Sequence, residues 1–377
     1  MEMHNQNKRC GMNTRVKAAP FLLLILSSIF LLPAGVSAQD SMMRQYQMAR
    51  VDGVETLQPV LTTVPVPVPA ANEVLVRMRA VSLNRKDIYA MDRYRANGDT
   101  APGLSISDGA GTVAAIGENV TNFKVGDRVV GAFDTTWVDG EGSGYNARVG
   151  MLSEYVLISE ATLLRIPNYM TYLEASTLPC AAVTAWNTLF KSASLQPGEY
   201  VLLQGTGGVS IFGLQLAAAA GGQPIITSSS DEKLREAWKL GAAGTVNYRK
   251  HPEWQHKVLE LTGGIGVKHV LEVGGADTFP KAVASLAVGG HIGSIGGLGE
   301  GGFIRQEPVE LLEPLNATWT YIYVGSATDF KNLLEFMTEH EIHPVIDRVF
   351  PFAEAPAAYD YMVSEGFIGK IVIAIDR

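Results

Sequence analysis

The segment Gly205-Thr206-Gly207-Gly208-Val209-Ser210 constrains this chain more than any other. It follows a short apolar run, Tyr200-Val201-Leu202-Leu203, and opens an apolar stretch of helical length at residues 209–220. A glycine-rich turn between a strand and a helix is the setting in which a dinucleotide pyrophosphate is held. Gly205 permits the tight turn, and Gly207 lets the backbone approach the phosphates. The helix N-terminus offers unpaired N–H groups and a partial positive charge. Thr206, Gly208 and Val209 complete the candidate cofactor loop. Ser210 stands where the usual pattern has a third glycine, and is small enough to keep helix and strand close. Alone, such a loop could be an ordinary glycine-rich turn; its flanks favour the cofactor reading.

Those flanks continue as alternating strands and helices. Pro224-Ile225-Ile226-Thr227 reads as a second strand and residues 231–240 as a second helix. Thr245-Val246-Asn247, Val270-Leu271-Glu272-Val273 and His291-Ile292-Gly293-Ser294-Ile295 are further strands. Such alternation predicts an α/β fold with a doubly wound parallel sheet of the Rossmann type. Residues 174–190 and 329–340 read as helices, and residues 370–375 as a final strand. Between residues 60 and 170 the pattern is different: short strands punctuated by Gly, Pro, Asn and Asp, as in a small β-barrel-like unit. Residues 134–147 are polar and glycine-rich and predict a long surface loop. At 377 residues the chain has room for about two domains.

The end of the second strand discriminates between the two nicotinamide dinucleotides. An acid there would bind the adenosine 2′-hydroxyl. This chain has Ser228 and Ser229 instead, with Lys233 shortly after, and Tyr248 and Arg249 follow the next strand. Hydroxyls donate to a 2′-phosphate and a lysine neutralises it, so the expected cofactor is NADP(H). Asp231 and Glu232 suit the start of a helix. The same serines could also be no more than a helix cap.

Charge and cysteines bound the remaining classes. A net charge of −8 argues against a nucleic-acid binder. The two cysteines, Cys10 and Cys180, do not define a disulfide framework. At the N-terminus, Lys8, Arg9, Arg15 and Lys17 precede an apolar run at residues 21–32, and Val36-Ser37-Ala38 provides a small-residue cleavage site. The run falls short of the about 20 residues of a membrane span. Residues 1–38 are therefore expected to be a secretory signal peptide, making the protein secreted or periplasmic with no stable span in the mature chain. A start at Met42 or Met43 would make it cytoplasmic instead.

From about residue 44 onward the chain resembles the medium-chain dehydrogenase/reductase superfamily, in its zinc-free quinone-reductase and alcohol-dehydrogenase-like branch. The resemblance rests on Ser82-Leu83-Asn84, Ser107-Asp108-Gly109-Ala110-Gly111, Gly126-Asp127-Arg128-Val129 and Leu178-Pro179-Cys180. Thr184-Ala185-Trp186, the Gly205 loop and Gly369-Lys370-Ile371-Val372 complete it. It implies a GroES-like catalytic domain at 39–170, a coenzyme domain at 171–325 and a return to the catalytic domain at 326–377. The active site would lie between the domains, and relatives are commonly homodimers paired through the coenzyme-sheet edge. The zinc ligands of metal-dependent members fall on Asn84, Ser107 and Cys180, of which only one is a thiol. No histidine lies between residues 5 and 250. One soft ligand cannot hold zinc, so no metal is expected. Cys180 then reads as a small apolar helix residue.

The resemblance nominates Asn84, Lys86, Asp87 and Tyr89 as catalytic candidates. Asn84 would orient a carbonyl or quinone oxygen, and Lys86 or Tyr89 would stabilise developing charge or deliver a proton. Asp87 would hold local structure or partner Lys86; Arg85-Lys86 is equally consistent with a solvated face. Thr184 and Gly296 would approach the nicotinamide, and Lys370 a cofactor phosphate. The expected activity is hydride transfer from NADPH to an activated carbonyl, enone, enal or quinone. A zinc alcohol dehydrogenase and a non-catalytic NADPH-binding or redox-sensing module are the alternatives.

Overall fold

The computed structural model describes residues 42–98, 104, 106–140, 150–299, 301–304, 306–364 and 366–375. The expected signal peptide lies outside them. β1 (Met42–Ala49) and β2 (Gln58–Pro65) form an antiparallel ribbon. β3 (Glu73–Leu83), α1 (Arg85–Asn97), β4 (Asp108–Ile116), β5 (Arg128–Gly131), β6 (Tyr155–Ser159) and β7 (Leu163–Arg165) follow. The chain then crosses into a second lobe built of α2 (Tyr172–Ala175), α3 (Val183–Trp186), β8 (Tyr200–Leu203), α4 (Gly208–Ala219), β9 (Gln223–Ser228) and α5 (Asp231–Lys239). β10 (Gly244–Asn247), α6 (Trp254–Leu261), β11 (Val267–Glu272), α7 (Phe279–Ala284), β12 (Leu286–Ser294), α8 (Val309–Leu312), β13 (Thr318–Tyr321) and α9 (Ala327–Glu339) continue that lobe. Finally β14 (Ile346–Pro351), α10 (Ala355–Val363) and β15 (Lys370–Ala374) complete the described chain.

The second lobe's sheet has the order β10-β9-β8-β11-β12-β13, every pair parallel. Renumbered within the lobe this is 3-2-1-4-5-6, the dinucleotide-binding order, with its reversal between β8 and β11. Ligands bind at the carboxyl ends of the strands flanking such a reversal. The first lobe's sheet runs β14-β15-β3-β4-β5-β7, with β6 also paired to β3. The C-terminal strands β14 and β15 thus return to the lobe where the chain began.

α9, at the start of the expected return from residue 326, packs against both lobes. Phe330, Leu333, Leu334 and Met337 bury in a cluster that holds Val183, Ile211 and Phe212 of the second lobe and Ala110, Val130 and Phe133 of the first. Burying such apolar side chains stabilises by roughly 1.5–3 kcal/mol each, before β14 rejoins the first lobe's sheet. The 174–190 helix is interrupted rather than uniform: π-type turns at Leu178–Ala182 and Asn187–Lys191 flank α3. Pro179 removes one N–H, and the Thr184 and Thr188 hydroxyls donate to the Cys180 and Thr184 carbonyls at 2.7 and 2.8 Å. Over its described part, residues 134–140, the expected loop is irregular, with Thr136 and residues 138–140 exposed. Asp134 and Trp137 anchor it: both are buried, and the Trp137 carbonyl accepts from Ala327 at the start of α9. Asp134 accepts from the Thr136 N–H and hydroxyl at 2.8 and 2.7 Å.

Candidate active site

The cofactor loop sits where the strand order reverses. Gly205 has φ +71°, a left-handed conformation suited to glycine, and α4 starts at Gly208. A side chain built at Gly207 would meet nothing within 4 Å, so space remains over the helix N-terminus for a bulky anion. Ser210 is buried and its hydroxyl donates to the Gln204 carbonyl at 2.6 Å, tying helix to strand end where glycine would only allow approach. Gly205 N–H donates to the Thr227 hydroxyl at 3.2 Å.

Across the reversal lies a buried network that the sequence did not disclose. Glu272, fully buried, accepts from Gln204 Nε2 and the Thr278 hydroxyl at 2.6 Å each, and from the Gly274 and Gly275 N–H groups at 2.8 and 2.9 Å. Burial pushes its carboxyl above the usual range. The network locks the ends of β8 and β11, which is needed for a precise cofactor floor. The only sequence sign was an acid closing an apolar strand. Gly296 backs onto this floor: a Cβ there would lie 2.5 Å from the Val273 carbonyl.

At the end of β9, Ser228 is buried, Ser229 is half-buried, and Ser230 caps α5, its hydroxyl accepting from Lys233 N–H at 3.4 Å. Tyr248 is 40 % exposed and its N–H donates to the Ser228 carbonyl, so tyrosine and serines are neighbours. Asp231 belongs to the first turn of α5 and accepts from Asn247 Nδ2 at 2.5 Å.

The catalytic candidates separate into those the fold gathers and one it does not. Asp87 accepts the Asn84 N–H at 2.7 Å with one oxygen and the Lys86 ammonium at 2.7 Å with the other. Burial is the largest influence on both: it pushes the Asp87 carboxyl above its ordinary range, while the neighbouring Asp87 and Asp108 outweigh it at Lys86 and hold the ammonium above its own. Lys86 also lies 5.3 Å from the centroid of Phe133, whose ring meets Tyr323 edge-on at 5.7 Å; Trp137 stacks on Tyr323 at 6.2 Å. Tyr89 is 43 % exposed and stands apart on α1. Thr184 is buried with its hydroxyl proton spent on Cys180.

Lys370 departs from its expected place on a cofactor phosphate. Its ammonium turns into the first lobe, donating to the Leu83 carbonyl at 2.7 Å and Asn84 Oδ1 at 2.5 Å, with Asp108 at 3.7 Å. The physical reason is that β15 lies beside β3, so its first side chain faces the end of β3. Asp108, fully buried, accepts from the Ser107 hydroxyl at 2.7 Å and the Cys180 N–H at 3.3 Å. Asn84 is 9 % exposed, and its Nδ2 has no hydrogen-bond partner among the described residues. A buried donor left unpaired costs about 1–3 kcal/mol, which an acceptor oxygen would recover.

The family's zinc does not fit these residues. Asn84 Oδ1 already accepts an ammonium and Ser107 donates to Asp108, which leaves Cys180 as the one soft ligand of the three positions. Among the described residues no group of three or more His, Cys, Asp or Glu could hold a metal ion.

Fold and site together define a two-lobed oxidoreductase with a dinucleotide-binding second lobe. Residues 70–168 match the alcohol dehydrogenase GroES-like domain family, and residues 208–339 the zinc-binding dehydrogenase family. A zinc-type alcohol dehydrogenase-like protein of Schizosaccharomyces pombe is 41 % identical over 315 residues, covering 81 % of this chain and 91 % of that protein. A quinone oxidoreductase of Pseudomonas aeruginosa is 31 % identical over 318 residues, 81 % and 92 % of the two chains. Among solved structures, a Sinorhizobium meliloti 1021 protein assigned as an alcohol dehydrogenase superposes with TM-score 0.81 at 36 % identity, over 89 % of this chain and 99 % of that one. An NAD-dependent alcohol dehydrogenase gives TM-score 0.77 at 29 % identity, over 89 % and 100 %. The chain belongs to the medium-chain dehydrogenase/reductase superfamily.

Proposed function

We propose that this protein is an NADPH-dependent reductase that works without catalytic zinc and reduces an activated carbonyl, enone, enal or quinone. One observation carries the reading: Asn84, at a position of the family's metal ligands, accepts the Lys370 ammonium through Oδ1 and keeps its buried Nδ2 as a donor with no partner among the described residues. A fixed donor aimed at a developing oxyanion can replace a Lewis acid when the acceptor is already electrophilic.

NADPH, when bound, supplies the hydride. Gly205, Thr206, Gly207, Gly208 and Val209 would hold its pyrophosphate, and Ser228, Ser229, Lys233 and Tyr248 its 2′-phosphate. Asn84 Nδ2 donates to the acceptor oxygen as negative charge builds on it. Lys86, kept charged by Asp87, delivers the balancing proton, so acceptor, hydride and proton give the reduced product. The Phe133, Trp137 and Tyr323 rings beside Lys86 favour flat, unsaturated acceptors.

The name of the S. pombe relative favours a second reading, a zinc enzyme. Turnover of NADPH and NADH by chelator-treated protein with quinones, enals and simple alcohols separates the two. Chelator-resistant reduction with NADPH is expected; activity that needs added zinc and oxidises alcohols sinks the proposal. We further propose a homodimer through β13, which ends the sheet and pairs only with β12 among the described strands. Export through the leader is proposed too, and N-terminal sequencing of protein recovered outside the cytoplasm would test it. No helix among the described residues is long and apolar enough to cross a membrane.

A further inference from the structure

Lys370 touches both halves of the site. On one side, its neighbour Gly369 donates its N–H to the Thr206 carbonyl at 3.0 Å, and Gly207 and Gly369 form a parallel bridge. A Cβ added at Gly208 would lie 2.7 Å from Lys370 Cδ, so the lysine stem runs along the cofactor loop. On the other side the ammonium, 2 % exposed, sits among the Leu83 carbonyl, Asn84 Oδ1 and Asp108. An ammonium has three N–H donors and no acceptor. These neighbours engage the ammonium within the first lobe.

The same chemistry fixes Asn84. Only the amide oxygen can face an ammonium, so the amide nitrogen is turned the other way. That nitrogen is the buried donor with no partner among the described residues. A cation on the amide oxygen also draws electron density from the nitrogen and strengthens its N–H groups as donors. We propose that Lys370 is a positioning residue: it orients and polarises Asn84 as donor to the acceptor oxygen and ties that donor to the cofactor loop. The proposal rests on the reductase reading for the identity of the oxygen, but not for the orientation of the amide.

A double-mutant cycle on the full chain tests it, using wild type, Lys370→Met, Asn84→Ala and the double variant. The NADPH dissociation constant is read by fluorescence titration, and kcat and KM with 1,4-naphthoquinone and crotonaldehyde. Lys370→Met is expected to lower kcat by about tenfold to a hundredfold, with NADPH affinity changed by less than about threefold. In the Asn84→Ala background the same change should lower kcat by less than about twofold, because the two residues act as one unit. Lys370→Gln is the reserve variant should Lys370→Met fail to fold. Additive losses, or an NADPH affinity weakened by about tenfold with kcat intact, overturn the proposal. A readout without turnover is the Asn84 side-chain amide resonance in ¹⁵N-labelled protein, assigned by its loss in Asn84→Ala. It should move in Lys370→Met, and an unmoved resonance overturns the proposal. If the wild type reduces no acceptor, the reductase reading falls, and the amide resonance alone decides the role of Lys370.

Discussion

Asn84→Ala removes both the acceptor for Lys370 and a buried donor with no partner among the described residues. Loss of a fixed oxyanion donor lowers kcat by on the order of 10²–10³, so kcat/KM for quinone or enal should fall by about that factor while NADPH binding holds. Tyr89→Phe, by contrast, should leave kcat/KM nearly unchanged, because Tyr89 lies exposed on α1. A different residue contributes to the loss of stability in acid. His291 is buried beside His269, with Nε2 at 3.1 Å from the Thr320 hydroxyl, and burial lowers its pKa to about 4. The unfolded chain, titrating near its usual value, binds the proton first as pH falls. Stability is therefore intact above about pH 6.5 and is lost down to about pH 4, by about 3 kcal/mol in all. Urea midpoints that do not fall between pH 7.5 and 5 would contradict this. At this scale the sequence was partly legible. Asn84, Lys86 and Asp87 were nominated by the family resemblance, and the fold keeps them together because α1 begins right after Asn84. Lys370 does not, because its partners lie 286 positions away and only the pairing of β15 with β3 brings them together.

Among the elements, the strand-loop-helix of the cofactor site was legible because its signal is local. β8, Gly205 and α4 occur in unbroken succession. The floor beneath it was not, because Gln204 and Glu272 close two strands 68 residues apart. The proposed NADPH preference rests on the end of β9. Lys233→Ala should raise the KM for NADPH by about tenfold or more and leave that for NADH unchanged, since a charge-assisted contact is worth about 1.5–3 kcal/mol. Equal effects on both cofactors would place Lys233 elsewhere. Gly369 joins the lobes with φ +70°, and a Cβ there would lie 2.3 Å from the Val345 carbonyl. Gly369→Ala should destabilise by more than the about 1–2 kcal/mol of a left-handed residue, because backbone offers no room to yield; an unchanged melting temperature would refute that packing.

For the molecule as a whole, the switch from turn-punctuated strands to alternating strands and helices near residue 171 was readable from pattern alone. Where α9 packs was not, because an amphipathic helix does not say which lobe it covers, and this one buries against both. Gly369 and the stem of Lys370 meet the Gly205–Gly208 loop where the lobes join, and the proposed function places the Asn84 donor beside the bound cofactor there. The central claim is that hydride transfer there needs NADPH and no metal. It is tested by NADPH and NADH oxidation with 1,4-naphthoquinone and crotonaldehyde, using purified protein before and after exhaustive chelation. Unchanged turnover after chelation, with NADPH preferred, is the predicted result; activity that vanishes with the metal and returns with zinc would contradict it.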